Sequence, residues 1–164
     1  MLVIGIDPGT ARTGYGLVRE TPAGDLEAAA YGVIQTAADL APEKRLVQLY
    51  DELNEILLLH QPESGAVEKL FFQRNVSTAI AVGQARGVAM LSLAQAGLQV
   101  SEYNPMEVKQ AVAGYGGADK QQMQEMVRIL LNLEDIPRPD DAADALAVAI
   151  CHLHTSRYHR LTQP

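Results

Sequence analysis

The sequence predicts an α/β fold, a mixed five-stranded sheet flanked by helices, from two observations. Three strand-like segments joined by short turns fill residues 2–36, and from residue 42 onward helical and strand-like segments alternate. Strands joined by tight turns pair antiparallel, whereas strands separated by helices pair parallel, so the sheet begins antiparallel and continues parallel with helices packed on it.

Each element has its own local reason. LVIGID (2–7) is short, apolar and bounded by Pro8 and Gly9, the pattern of a buried strand ending in a turn. YGLVRE (15–20) and DLEAAAYGVIQT (25–36) follow, separated by a Pro- and Gly-containing turn, which makes two hairpins. Between Pro42 and His60 the residues Leu46, Leu49, Tyr50, Leu53, Ile56 and Leu57 recur at helical spacing, while Glu43, Asp51, Glu52 and Glu55 face elsewhere. Pro42 suits the first turn of that helix and Pro62 lies just past its end. GAVEKL (65–70) reads as a strand, residues 76–95 as an Ala-rich helix closed by Gly97, and LQVSEY (98–103) as the last strand. A short helix starts near Pro105, GYGGA (114–118) is a loop, and helices over about 119–133 and 140–155 complete one domain spanning residues 1–156. Residues 157–164 form a short polar tail.

At 164 residues the chain has room for one core and not for a second full domain. Uninterrupted apolar runs such as Leu2–Ile6 and Ile56–Leu59 are far shorter than the roughly 20 residues that cross a bilayer. No basic leader precedes the first strand, so a cytoplasmic protein without a membrane partner is expected. Cys151 has no partner for an internal disulfide and lies in an apolar helical stretch, where a free cysteine behaves as a small buried hydrophobe. The net charge of −7 argues against nucleic acid only at first sight. Residues 20–64 hold nine acids and two bases and account for the whole imbalance, leaving the rest of the chain neutral in sum. Six bases and five acids share residues 65–132, so one side of the fold is free to be basic.

Four acids stand where acids are costly. Asp7 ends the first strand on the face of Val3 and Gly5, and Gly5 leaves that face open. Glu68 interrupts an apolar strand on the face of Ala66 and Leu70. Asp141 and Asp144 are three apart at the start of a helix and project from one face, which continues as Ala145 and Val148. Leu146, Ala149, Ile150 and Leu153 cover the other side, so this helix is apolar nearly all round and therefore buried. Taken singly, Asp141 also suits a helix N-cap and Asp7 a turn before Pro8, whereas Glu68 has the weakest alternative. Converging carboxylates need a cation, and hard oxygen ligands suit Mg²⁺ or Mn²⁺, while no Cys or His cluster has zinc spacing. Two ions about 4 Å apart, bridged by Asp7, would serve the in-line cleavage of a phosphodiester.

These residues and their surroundings resemble the RuvC family of bacterial Holliday junction resolvases over essentially the whole chain. The matching blocks are GIDPGTARTGYG (5–16), AVEKLFFQRN (66–75), AVGQARGV (81–88), VKQAVAGYGGADKQQMQEMV (108–127) and DDAADALAVAICH (140–152). The resemblance implies an RNase H-like fold, a homodimer with two active sites, and paired symmetric nicks across a four-way DNA junction that leave ligatable ends. It also implies work alongside the RuvA and RuvB branch-migration complex. It carries the catalytic and metal-binding roles onto Asp7, Glu68, Asp141 and Asp144; of the neighbours Asp140 and Asp141, the DAADAL register favours Asp141 as ligand. Phe71 matches an aromatic that meets unstacked bases, a contact that contributes about 1–3 kcal/mol, and Arg74 is a candidate phosphate contact. Lys109 and Lys120 match lysines beside the scissile phosphate, where fixed positive charge stabilises the developing anion. Arg86 has two readings, DNA contact or helix brace. His60, His152, His154 and His159 match no catalytic role, and positions near helix ends account for them. The helix over 76–95 is the expected dimer surface.

Three other readings compete. The first block also resembles the YqgF-like nucleases, but the GQARG helix and the two lysine blocks favour the RuvC family. An Asp-x-Gly turn between strands also opens actin-like ATPases, which need a second such domain and a second glycine motif. A non-catalytic junction-binding protein would have no need of acids at all four positions.

Overall fold

The computed structural model describes residues 1–69 and 76–162, with side chains up to residue 159. Five strands, β1 (Leu2–Asp7), β2 (Arg12–Glu20), β3 (Leu26–Gln35), β4 (Ser64–Glu68) and β5 (Gln99–Tyr103), form one sheet in the order β3-β2-β1-β4-β5. β1 pairs antiparallel with β2 and parallel with β4, and β5 is parallel to β4, which is the mixed sheet expected from the strand and helix pattern. The helices are α1 (Pro42–His60), α2 (Val76–Gln95), α3 (Pro105–Ala113), α4 (Lys120–Leu130) and α5 (Asp140–Thr162).

Alternation along β1 and β4 divides the core in two. Ile4, Ile6 and Val67 face α1 and α2, packing with Leu49, Leu53, Ala85, Ala89 and Leu93. Val3 and Ala66 face the opposite side, where they pack with α5 and with Val108, Val112 and Val127 of α3 and α4. Asp7 and Glu68, in phase with Val3 and Ala66, therefore belong to the α5 side.

The helix α5 lies against β1 and β2 because glycine removes the side chains that would hold it off. A Cβ on Gly5 would stand 2.3 Å from the Ala145 carbonyl oxygen and 2.5 Å from the Ala149 nitrogen; one on Gly14 would stand 2.0 Å from the Asp141 carbonyl oxygen. The face of Gly5 is thus filled by helix backbone, where the sequence had pointed to an open one. Backbone does not move aside as a flexible side chain does. We expect Gly5→Ala to destabilise the fold by about 3 kcal/mol, lowering the thermal midpoint by roughly 6–12 °C, as a melting curve would reveal; an unchanged midpoint would mean that α5 is free to shift.

The structure corrects three expectations. α5 does not stop near Thr155 but runs to Thr162, so most of the residues read as a tail continue the helix. His152 and His154 accordingly sit within α5 and not near its end: His152 is buried between the Ser64 and Tyr103 hydroxyls at 2.9 and 3.0 Å, and His154 Nδ1 meets the Ala111 carbonyl oxygen at 3.1 Å. α2 is 20 residues long with a mean hydropathy of 1.3, enough by length and composition alone to cross a bilayer. It contains no long unbroken apolar run, because Ser, Thr, Gln, Gly and Arg are scattered through it. In the fold Ala85, Ala89, Ser92 and Leu93 are buried against the sheet and α1. Arg86 pairs with Glu102 of β5, a contact that fits the brace of its two readings. Cys151 is buried, and burial pushes its thiol up to about 12, far from the range of a nucleophile.

Candidate active site

Register brings the four acids together. Gly5 pairs with Ala66 and Ile6 with Val67 in the parallel β1–β4 ladder, so the next residues, Asp7 and Glu68, emerge side by side at the ends of their strands. Asp7 is also cross-strand from Gly14, and the backbone of Asp141 rests on Gly14. Close packing of α5 on the glycines therefore sets the first turn of that helix, with Asp141 and Asp144 one turn apart, over the ends of β1 and β4.

The electrostatics show how near the acids are. Burial, then the charges of Glu68, Asp144 and Asp141, push the Asp7 carboxyl from 3.8 up to about 8, and it shares a hydrogen bond with Glu68. Glu68 is also raised, by burial and then by Asp144, while the bond from Asp7 and the Lys109 ammonium pull it back. Asp144 is raised by burial, with Lys120 opposing. In this arrangement Asp7 holds a proton near neutral pH and donates it to the Glu68 carboxylate.

Cations border the acids on several sides. Lys109 lies on α3, whose start is fixed by Asn104: its side chain accepts from the Glu107 backbone N–H at 2.9 Å while Glu107 accepts from the Asn104 N–H at 2.7 Å. Lys120 opens α4 behind a second such box made by Asp119 and Gln122, and its Nζ stands 3.0 Å from Asp140 Oδ2 and 3.9 Å from Asp144 Oδ2. The Asp140 hydrogen bond is the main cause of the raised Lys120 pKa, and Lys120 in turn lowers that of Asp140. Arg12, at the start of β2, reaches to 4.0 Å from Asp141 Oδ2. Arg12 and the role of Asp140 were missed in the sequence, since both depend on chain segments far apart. Phe71 and Arg74 lie outside the described residues.

Among the described residues no set of three or more His, Cys, Asp or Glu side chains is arranged to hold an ion as it stands. Two of the carboxylates have cations beside them, Arg12 at Asp141 and Lys120 at Asp144. The chemistry of the set nonetheless fits a hard divalent cation. Its donors are all carboxylate oxygens, and three of the acids carry pKa values raised by burial first and by neighbouring acids after it.

Residues 3–152 match the family model described as crossover junction endodeoxyribonuclease RuvC. The chain belongs to the RuvC family. It is 60% identical over 153 residues to the crossover junction endodeoxyribonuclease RuvC of Roseiflexus sp. (strain RS-1), covering 93% of this chain and 90% of that one. The solved structure of Thermus thermophilus RuvC superposes with a TM-score of 0.89 at 37% identity, covering 97% of each chain. T. thermophilus RuvC in complex with a Holliday junction substrate gives 0.88 at 35% identity, covering 96% of each. The RNase H-like architecture expected from the motifs is therefore the one this chain has, and its family is that of junction-cleaving endonucleases.

Proposed function

We propose that Asp7, Glu68, Asp141 and Asp144 are the catalytic acids with which this RuvC-family endonuclease resolves four-way DNA junctions, and that they bind Mg²⁺, with Mn²⁺ as a substitute. The observation that carries the reading is the register that sets Asp7 beside Glu68 with the first turn of α5 packed on Gly14. Burial and then the neighbouring charges push the Asp7 carboxyl upward, an arrangement that is costly until positive charge is added. When bound, a pair of divalent cations supplies activation of water and stabilisation of the leaving oxygen. Water attacks phosphorus, the bond from phosphorus to one sugar oxygen breaks, and the nick is left ligatable. The chain's own part is to aim four carboxylates at one point and to keep Lys109 and Lys120 beside the phosphate as its negative charge grows.

Phe71 is proposed to stack on an unpaired base near the cut and Arg74 to contact a phosphate. A relative solved with a Holliday junction supports the substrate. A homodimer would present two such sites and match the two-fold symmetry of an open junction, placing nicks on opposite strands. The α2 helix offers Val76, Ile80 and Leu91 as exposed apolar side chains for that contact. RuvA and RuvB are the expected partners, and the cytoplasm the expected location. The test is a labelled synthetic four-way junction incubated with the protein in Mg²⁺ and in chelator. Symmetric nicks with metal alone are the expected result; nicks that persist in chelator would overturn the metal reading, and ATP hydrolysis without nicking would favour an actin-like activity.

A further inference from the structure

Asp140 has no place among the four proposed catalytic acids, yet among the described residues three side chains donate to it. Its Oδ2 accepts from Lys120 Nζ at 3.0 Å, and its Oδ1 accepts from Gln124 Nε2 at 3.0 Å and from Arg138 Nη1 at 3.3 Å. Gln124 is itself buried, 8% exposed, so one oxygen of the carboxylate is tied to a fixed donor in the core. That leaves the other oxygen aimed at Lys120, which is more than half exposed. A lysine ammonium on a flexible four-carbon stem has no preferred direction of its own. Two outcomes compete for it here: to swing into solvent, or to fall onto Asp144, whose Oδ2 is 3.9 Å away.

We propose that Asp140 is a positioning residue for Lys120, anchored by the buried Gln124, that holds the ammonium at the edge of the acid cluster, nearer to Asp140 than to Asp144. The inference rests on the reading of Lys120 as an active-site lysine. Asp140 touches neither phosphate nor cation in this role. It converts a mobile surface charge into a fixed one, and a fixed charge stabilises a transition state because nothing has to reorganise as the reaction proceeds.

The experiment compares wild type, Asp140→Ala, Lys120→Ala and the double variant, measuring junction affinity and single-turnover nicking, together with the ¹⁵N order parameter of the Lys120 Nζ group. Asp140→Ala should slow nicking about tenfold while junction affinity stays within about twofold, and should lower the Lys120 order parameter to that of an unpaired surface lysine. In the Lys120→Ala background the Asp140 substitution should cost nothing further, because two residues acting through one group are not additive. An Asp140→Ala variant that nicks at the wild-type rate, leaves Lys120 as ordered as before, or slows nicking equally in both backgrounds would overturn the proposal. Should Lys120→Ala nick as fast as wild type, the active-site reading of Lys120 fails first and takes the role of Asp140 with it. If only Lys120→Ala is slow, that reading stands and the positioning role alone is lost.

Discussion

Asp7→Asn is expected to abolish junction nicking, by at least about 10³-fold, while junction binding measured without metal persists. Asn keeps the shape of Asp and one of its acceptor oxygens, so the end of β1 and the packing of α5 are undisturbed. What it lacks is the negative charge. Asp7 has Glu68 beside it and is felt by Asp141 and Asp144, so it is the acid through which the whole cluster is coupled. If Asp7 helps to hold a cation as proposed, removing its charge would weaken that hold and take several kcal/mol from transition-state stabilisation, at about 1.4 kcal/mol per tenfold in rate. DNA binding should survive because phosphate affinity comes from Lys and Arg, which the substitution leaves in place. Gel-shift and nicking assays on one labelled junction separate the two effects. Loss of binding together with cleavage would contradict the assignment of Asp7.

Glu68 stood out in the sequence because an acid inside an apolar strand must be compensated, and strand phase put it and Asp7 on definite faces. Asp7 and Asp141 also suited a turn and a helix N-cap, and it was the family resemblance that gave all four acids, Asp144 included, one role. The five strands were legible from short apolar runs bounded by Gly and Pro, and α1 from its heptad-like spacing. The limits of that reading are as particular. Gly5 showed that a side chain was missing, but only the fold shows that the backbone of Ala145 and Ala149 takes its place. The last turns of α5 carry no apolar period, and a helix already nucleated needs only successive backbone bonds to propagate through Arg157 and Tyr158. Lys109 and Lys120 came from the family resemblance alone, since an exposed lysine has no local signature. Arg12 and Asp140 gained their significance from the segments that folding sets beside them, Asp141 in one case and Lys120 with Gln124 in the other.

The same coupling of acids predicts an unusual dependence of stability on pH. In the unfolded chain Asp7 titrates near 3.8, in the fold near 8. A group whose folded pKa is raised contributes stability that is complete below the unfolded value and is lost as pH climbs through the folded one. Glu68 and Asp144, raised in the same direction, act with it. The metal-free protein should therefore weaken steadily from about pH 4 to about pH 8, whereas Asp7→Asn, with no proton to lose, should weaken less over that range and melt higher than wild type at its upper end. Bound Mg²⁺ should reverse the order, since a ligand that binds only the folded state stabilises it by RT ln(1 + L/Kd), where L is the free ligand concentration. The measurement that bears most directly on four converging, cation-binding carboxylates is the thermal midpoint of both proteins near pH 8 with and without Mg²⁺. The variant should be the more stable without metal, and Mg²⁺ should raise wild type far more than the variant. Equal gains for both, or a less stable variant in the absence of metal, would contradict a cluster of cation-binding carboxylates.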